Sequence, residues 1–88
     1  MELRNNGLLE KHVVDVLKEK KLTVTTAESC TGGMISSRIV NVPGASAVLK
    51  QAYVTYCDEA KHTVLGVKNE TLEKYYAVSS QTACEMAE

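Results

Sequence analysis

Hydrophobic positions recur at helical spacing near the start of the chain, with charged residues on the opposite face. The residues of this apolar face are Leu9, Val13, Val16 and Leu17. Their spacing predicts an amphipathic helix from Gly7 to Lys20. An apolar, β-branched run follows, and it predicts a first strand from Leu22 to Ala27. The chain is therefore expected to begin with a helix and a strand.

A second helical pattern begins directly after this strand and a pair of glycines. It predicts a helix from Gly33 to Val40. The side expected to be buried consists of Met34, Ile35, Ile39 and Val40. Pro43 and Gly44 follow, and a Pro-Gly pair favours a turn. A short helical turn is expected from Ala47 to Leu49.

The rest of the chain predicts one more strand and three short helices. Tyrosine, valine and threonine residues predict a strand from Gln51 to Cys57. The helices are expected to be capped by Asp58, Asn69 and Ser79 and to end at Leu65, Tyr75 and Glu88, with Gly66 closing the first. Two strands leave unpaired sheet edges, which indicates part of a larger domain or completion by a partner chain.

Length and composition limit the classes of function. With 88 residues, 44% of them hydrophobic and 24% charged, the chain suits a soluble protein of one domain at most. A net charge of −1 without a basic stripe argues against nucleic-acid binding. No apolar run is long enough to span a bilayer. Three cysteines without a CxxC pair argue against a zinc ribbon or disulfide framework and favour a reducing cytoplasm.

The stretch between the first strand and the second helix carries most of the candidate chemistry. It contains Glu28, Ser29, Cys30, Thr31, Gly32 and Gly33. A strand, a glycine turn and a helix place polar groups at the carboxyl end of a strand. The glycines permit positive φ angles, and free N–H groups at the start of the helix favour an anion. Glu28 is expected either to bind N–H groups of the turn or to position a substrate hydroxyl.

Ser46 and Lys61 are the candidates for a nucleophile and its base. A serine hydroxyl needs a base at neutral pH, although Ser46 could also be an ordinary turn residue. Lys61 is expected in the first turn of a helix, where the dipole disfavours an ammonium. Its ordinary alternative is a surface lysine that pairs with Glu59 or Asp58. Tyr56 could orient Lys61, donate to an oxyanion, or be a strand aromatic without a role.

A cysteine offers a rival nucleophile. Cys30 is expected near a helix N-terminus, a position that activates thiols in reactive cysteines. His62 could act as its base, but the spacing of the two residues does not support a pair. A small buried thiol is the structural alternative for Cys30.

Five segments of the chain resemble the CinA C-terminal domain family. In chain order they are residues 27–33, 42–46, 53–61, 65–67 and 77–79. Members of this family include nicotinamide mononucleotide (NMN) deamidases and the C-terminal part of competence/damage-inducible CinA proteins. The resemblance implies a three-layer α/β/α domain with a mixed sheet. Residues 1–88 would then be a single truncated domain, the N-terminal half of the family domain.

The resemblance also implies a reaction and the residues that perform it. The expected reaction is hydrolysis of the NMN carboxamide to nicotinate mononucleotide and ammonia, with no metal or other cofactor. The family's motifs make Ser46 the nucleophile, Lys61 its base and Tyr56 an assisting group. The residues expected to bind substrate are Glu28, Ser29, Thr31, Gly32 and Gly33.

The sequence departs from the family pattern at two places, and two alternative functions are possible. Cys57 and Asp58 stand where members often have serine and asparagine, and Tyr76 stands where they have glycine. The expected partners are NMN and either a second copy of the chain or a missing C-terminal half, with no nucleic acid and no membrane. The alternatives are a non-catalytic nucleotide-binding domain linked to competence and a fragment that is inactive by itself.

Overall fold

A computed structural model describes residues 8–88, with Leu8 described by its backbone only. The elements are α1 (Leu8–Lys20), β1 (Val24–Glu28), α2 (Met34–Val40), β2 (Leu49–Val54), α3 (Asp58–Leu65), α4 (Asn69–Tyr75) and α5 (Ser80–Ala87), with a 3₁₀ turn (Ala45–Ala47) before β2. This order of helices and strands is the predicted one. Gly7, the predicted first residue of α1, lies outside the described residues.

The two strands are parallel neighbours in one sheet. The N–H of Val24 donates to Val48 O over 2.8 Å at one end of the pair. At the other end the N–H of Thr55 donates to Glu28 O over 2.9 Å. Both strands therefore run in the same direction, as a connection through a helix allows. The α/β class is confirmed, and β1 begins at Val24 rather than at Leu22.

The chain divides into two compact units. The described residues of the first unit are 8–26 and 33–53, and the second unit consists of Ala27–Gly32 and Val54–Glu88. Among residues 8–88, no helix is long and apolar enough to cross a membrane. The core of the first unit is formed by Val14, Ile39, Val42, Ala45 and Val48, with Leu17, Val24 and Leu49 packed against it.

The buried side of α2 is narrower than predicted. Ile39 is buried, whereas Met34, Ile35 and Val40 are 55%, 58% and 63% exposed. A helix of seven residues that packs against α1 buries one stripe of its surface, so the apolar residues on its other sides remain at the surface. The prediction that all four residues are buried is wrong.

The predicted apolar face of α1 is also rotated. Val14 is fully buried, while Leu9 and Val13 are 54% and 37% exposed. An ion pair fixes this side of α1 against α2, since Arg38 Nε donates to Glu10 Oε2 over 2.7 Å. This hydrogen bond lowers the pKa of Glu10 and raises the pKa of Arg38.

The second strand begins and ends earlier than predicted. It covers Leu49–Val54 rather than Gln51–Cys57. Thr55 still donates its N–H to β1, but its carbonyl accepts a side-chain donor from α3, so the ladder does not continue. The turn expected at 47–49 is found at Ala45–Ala47.

Two predicted helix caps are displaced by one residue. Cys57 and Lys68 occupy the N-cap positions of α3 and α4, and Asp58 and Asn69 are the first helical residues. Ser79 is confirmed as the N-cap of α5, because its Oγ accepts a backbone N–H of the first turn over 3.1 Å.

Tyr76 has a backbone conformation that residues other than glycine rarely adopt. Its φ is 67° and its ψ is 175°, a combination found almost only at glycine. Three hydrogen bonds hold it there. The Tyr76 N–H donates to Leu72 O, and the carbonyl accepts the hydroxyls of Ser79 and Thr82. Gly66, with a φ of 78°, ends α3 as predicted.

Candidate active site

Lys61 is almost completely buried in the second unit. It is 2% exposed, although lysine is a residue that proteins rarely bury. Its Nζ donates to Ser29 Oγ over 3.0 Å and to Thr55 O over 2.9 Å. Neither acceptor is a carboxylate. The amine is therefore fixed by two short hydrogen bonds to neutral oxygens.

The local sequence explains how Lys61 reaches these oxygens. Lys61 lies one turn into α3, where its N–H donates to Cys57 O over 3.1 Å. Helical side chains lean toward the helix N-terminus, so this amine extends back toward Thr55, directly after β2. Ser29 directly follows β1. Both acceptors thus lie at the carboxyl ends of two parallel strands. Open α/β sheets bind ligands at these ends.

The turn after β1 has the conformation expected of its glycines. Gly32 and Gly33 have φ angles of 69° and 107°. The Gly32 N–H donates to Ser29 O over 2.9 Å. Thr31 Oγ1 donates to Glu28 Oε1 over 3.4 Å, and Glu28 is 6% exposed. Glu28 therefore makes a contact within the turn, and substrate binding by these residues stays a prediction.

Ser46 lies beside a cleft in the first unit. Ser46 is exposed and belongs to the 3₁₀ turn before β2. A cleft of about 310 Å³ is lined by Val40, Val42, Pro43, Gly44, Ala45, Ser46 and Leu49. This volume is at the lower end of the range for small-molecule sites, and its apolar lining suits a ring. The assignment of Ser46 as nucleophile stays a prediction.

The rival cysteine site lacks its expected base. Cys30 is exposed, so the expectation of a small buried thiol is wrong. The Nδ1 of His62 lies 2.7 Å from Val67 O, and its Nε2 lies 3.4 Å from Asn69 Nδ2. Both ring nitrogens are therefore occupied between α3 and α4, and His62 is not oriented as a base for a thiol.

Thr55 is a site residue that neither hydrophobic spacing nor sequence motifs indicate. Its carbonyl holds the Lys61 amine, and the residue is 2% exposed. A threonine at the end of a strand resembles any other strand residue. The signal that could have found it is its distance of six residues from Lys61, which spans a strand end and one helical turn. Its neighbour Tyr56 is 71% exposed, and the assisting role of Tyr56 stays a prediction.

The last helix, α5, packs against both α3 and α4. Glu85 on α5 accepts the Lys68 N–H over 2.9 Å and the Thr71 hydroxyl over 2.6 Å. The Thr71 hydroxyl and the Lys68 N–H lower the pKa of Glu85 from its usual value. An acceptor from α5 thus caps the start of α4, where Lys68 supplies no capping side chain.

The contact between Lys61 and Ser29 pairs an amine with a hydroxyl that it can activate. A serine hydroxyl is too weak an acid to react at neutral pH without a base. A neutral lysine has a lone pair, so it can accept the Ser29 proton across the same 3.0 Å. In the described part of the chain, no group of three or more His, Cys, Asp and Glu could hold a metal ion.

Comparison with known sequences points to one family. A family model of the CinA C-terminal domain matches residues 6–88. A competence-damage inducible protein of Clostridium beijerinckii is 58% identical over 79 residues, which are 90% of this chain and 19% of that protein. A CinA-like protein of Thermotoga neapolitana is 55% identical over 84 residues, which are 96% of this chain and 21% of that protein.

Solved structures show the same fold over part of their length. The competence/damage inducible protein CihA of Agrobacterium tumefaciens matches with a TM-score of 0.90 and 43% identity, over 92% of this chain and 49% of that one. A CinA superfamily protein of Escherichia coli matches with a TM-score of 0.87 and 36% identity, over 91% and 46%. The chain thus spans about a fifth of its curated relatives and about half of the solved structures, which confirms a partial domain of this fold.

Proposed function

We propose that this chain carries the serine–lysine pair of an amidohydrolase acting on NMN. The chain belongs to the CinA C-terminal domain family. The observation that supports this proposal is the Lys61 amine, which is 2% exposed and 3.0 Å from Ser29 Oγ. Burying a lysine is costly and uncommon, which makes this amine a candidate for a functional role. The expected products are nicotinate mononucleotide and ammonia.

The proposed reaction is acyl transfer to a serine followed by hydrolysis. The serine Oγ forms a bond with the carboxamide carbon while its proton moves to Lys61 Nζ. The carbon–nitrogen bond then breaks, and the leaving nitrogen takes that proton and departs as ammonia. Water hydrolyses the resulting ester with Lys61 again accepting a proton, which restores the serine and releases nicotinate mononucleotide.

Two serines are candidates for the attacking hydroxyl. The family resemblance favours Ser46, and the cleft beside it has an apolar lining that suits a pyridine ring. The hydrogen bond with Lys61 favours Ser29. The proposal keeps Ser46 as the nucleophile and assigns to Ser29 the contact that holds the Lys61 amine. Attack by Ser29 is the alternative.

Trapping the acyl-enzyme distinguishes these two serines. Trypsin cleaves after lysine and arginine, so Ser29 falls in peptide 22–38 and Ser46 in peptide 39–50. The full chain is mixed with NMN, quenched in acid, digested and weighed by mass spectrometry. A nicotinate mononucleotide adduct on 39–50 supports Ser46, and an adduct on 22–38 that Ser29→Ala abolishes identifies Ser29. Ser37→Ala, which changes an exposed serine of α2, is the matched control.

Ammonia release from NMN tests the proposed activity itself. The Agrobacterium tumefaciens protein is a suitable reference, because this chain covers 49% of it. Release by both proteins supports the proposal. Release by the reference alone shows that the remaining half is required for turnover. If neither protein releases ammonia, NMN is not the substrate.

Binding of a nucleotide without turnover is the second candidate function. This candidate links the domain to competence, the word that the names of the relatives carry. Calorimetry would then detect NMN binding with no product formed over hours. Lys61→Ala would leave that affinity unchanged, whereas the amidohydrolase proposal requires this residue for ammonia release.

The proposal also includes a location and an assembly. A cytoplasmic location agrees with Cys30, Cys57 and Cys84, which are free thiols. The sheet of the described residues contains β1 and β2 alone. A sheet of two strands leaves backbone groups unpaired along both edges, so we expect self-association or pairing with a C-terminal half. Size-exclusion chromatography with light scattering measures the mass of the species in solution.

A further inference from the structure

Thr55 carries a buried hydroxyl that forms no hydrogen bond with any described residue. The residue is 2% exposed, and its Oγ1 is shielded from solvent. Both backbone groups of Thr55 are used. The N–H donates to Glu28 O over 2.9 Å, and the carbonyl accepts from Lys61 Nζ over 2.9 Å. The side-chain hydroxyl is therefore the polar group of Thr55 that has no hydrogen-bond partner among the described residues.

A buried hydroxyl without a partner destabilises a folded protein. It gives up its hydrogen bonds to water and receives none in return. Valine has nearly the same shape without the hydroxyl, so a purely structural residue at the end of β2 could equally be valine. This cost suggests that the Thr55 hydroxyl has a partner in another state of the site.

Lys61 changes its hydrogen-bonding needs when it takes up a proton. A neutral amine has two hydrogens and a lone pair, whereas an ammonium has three hydrogens and no acceptor. The described acceptors at Lys61 Nζ are Ser29 Oγ and Thr55 O. The third hydrogen of the ammonium form needs a third acceptor, because an unpaired buried charge is costly.

Thr55 carries the buried oxygen from which we expect that acceptor. Its hydroxyl belongs to the residue whose carbonyl Lys61 already contacts, and one rotation about the Cα–Cβ bond moves Oγ1 between staggered positions. We propose that Thr55 Oγ1 accepts a hydrogen of protonated Lys61 other than the one that moves between the serine and the leaving nitrogen, which makes Thr55 a positioning residue for proton transfer. This inference rests on the proposed amidohydrolase function.

The chemical step leaves Thr55 itself unchanged. As the serine O–H bond breaks, an N–H bond forms on Lys61, and Thr55 contributes only a hydrogen bond to the new ammonium. That hydrogen bond forms as positive charge develops on Lys61 Nζ during the transfer, and it leaves the serine's proton available for the leaving nitrogen. An interaction made in the transition state but not in the ground state raises kcat without changing KM.

Kinetics of the full chain with NMN test this role. Thr55→Val removes the hydroxyl and keeps the shape. We expect kcat to fall about tenfold, the effect of one hydrogen bond of ordinary strength, with KM unchanged and the melting midpoint equal or higher. Thr55→Ser is expected to restore kcat. Thr25→Val, which changes an exposed threonine of β1, is the matched control and is expected to behave as wild type.

Two kinetic outcomes overturn the proposal. One is an unchanged kcat in Thr55→Val. The other is a fall in kcat accompanied by a lower melting midpoint in Thr55→Val, because that pattern indicates that the hydroxyl has a structural partner in the resting fold.

A measurement without substrate separates this inference from the proposed function. Nitrogen-15 NMR at mildly acidic pH follows exchange of the Lys61 ammonium hydrogens with water. We expect slower exchange in wild type and Thr55→Ser than in Thr55→Val. Equal exchange rates in wild type, Thr55→Ser and Thr55→Val overturn the Thr55 contact, whether or not NMN is hydrolysed. If exchange differs as expected but wild type releases no ammonia, the contact stands and the proposed function fails.

Discussion

Replacing Tyr76 with glycine is expected to stabilise the protein. The φ of 67° and ψ of 175° at Tyr76 cost a residue with a side chain about 1–3 kcal/mol. The side chain is 72% exposed, so its removal gives up little packing. Glycine loses about 0.5–1 kcal/mol more conformational entropy on folding. The net gain is about 1 kcal/mol, which corresponds to about 4–8 °C in the melting midpoint of a domain this small.

Thermal unfolding followed by circular dichroism measures this effect, with Tyr76→Ala as the matched control. Alanine removes the ring but keeps a Cβ in the same backbone conformation, so no comparable gain is expected. Tyr75→Gly, at the end of α4, is expected to lower the midpoint because glycine weakens a helix. Equal midpoints for the glycine and alanine variants of Tyr76 would refute the argument from backbone strain.

Three other substitutions test separate parts of the structure. Because hydrogen bonds from α4 lower the pKa of Glu85, its carboxylate stabilises the fold above the unfolded-state pKa. That contribution is lost as pH falls through the folded-state pKa, so urea midpoints of Glu85→Gln should depend less on acid pH. Gly44→Ala is expected to cost about 1–2 kcal/mol, since Gly44 has a φ of 84°. Adding Lys18→Ala, which clears the side chain next to Gly44, should not restore the urea midpoint. Ser29→Ala is expected to lower kcat for NMN about tenfold by removing one contact of the catalytic amine, whereas Ser37→Ala should not.

Local signals in the sequence were sufficient to predict the order of the elements. Hydrophobic spacing predicted α1 and α2, capping residues predicted the three later helices, and β-branched or aromatic residues predicted both strands. Turn chemistry was equally informative, because Gly32, Gly33 and Gly66 all have positive φ angles. Ser79 was correctly predicted as a cap, since its side chain supplies the hydrogen bond that its position requires.

Features that depend on distant residues were not predictable in this way. The contact of Lys61 with Ser29 joins residues 32 positions apart, and no local periodicity reports it. The exposure of Met34 and Ile35 depends on which elements pack against α2, which hydrophobic spacing alone does not reveal. The caps at Cys57 and Lys68 were missed because their side chains make no capping hydrogen bond.

Lys61 is proposed to perform proton transfer in amide hydrolysis through its buried amine. The most direct measurement compares ammonia release from NMN by the wild-type full chain and by Lys61→Met, which keeps a long unbranched side chain and removes the amine. Lys20→Met, at an exposed lysine of α1, is the control. We expect wild type and Lys20→Met to release ammonia at the same rate and kcat of Lys61→Met to be lower by about 10²–10⁴-fold. Undiminished ammonia release by Lys61→Met would contradict this role of Lys61.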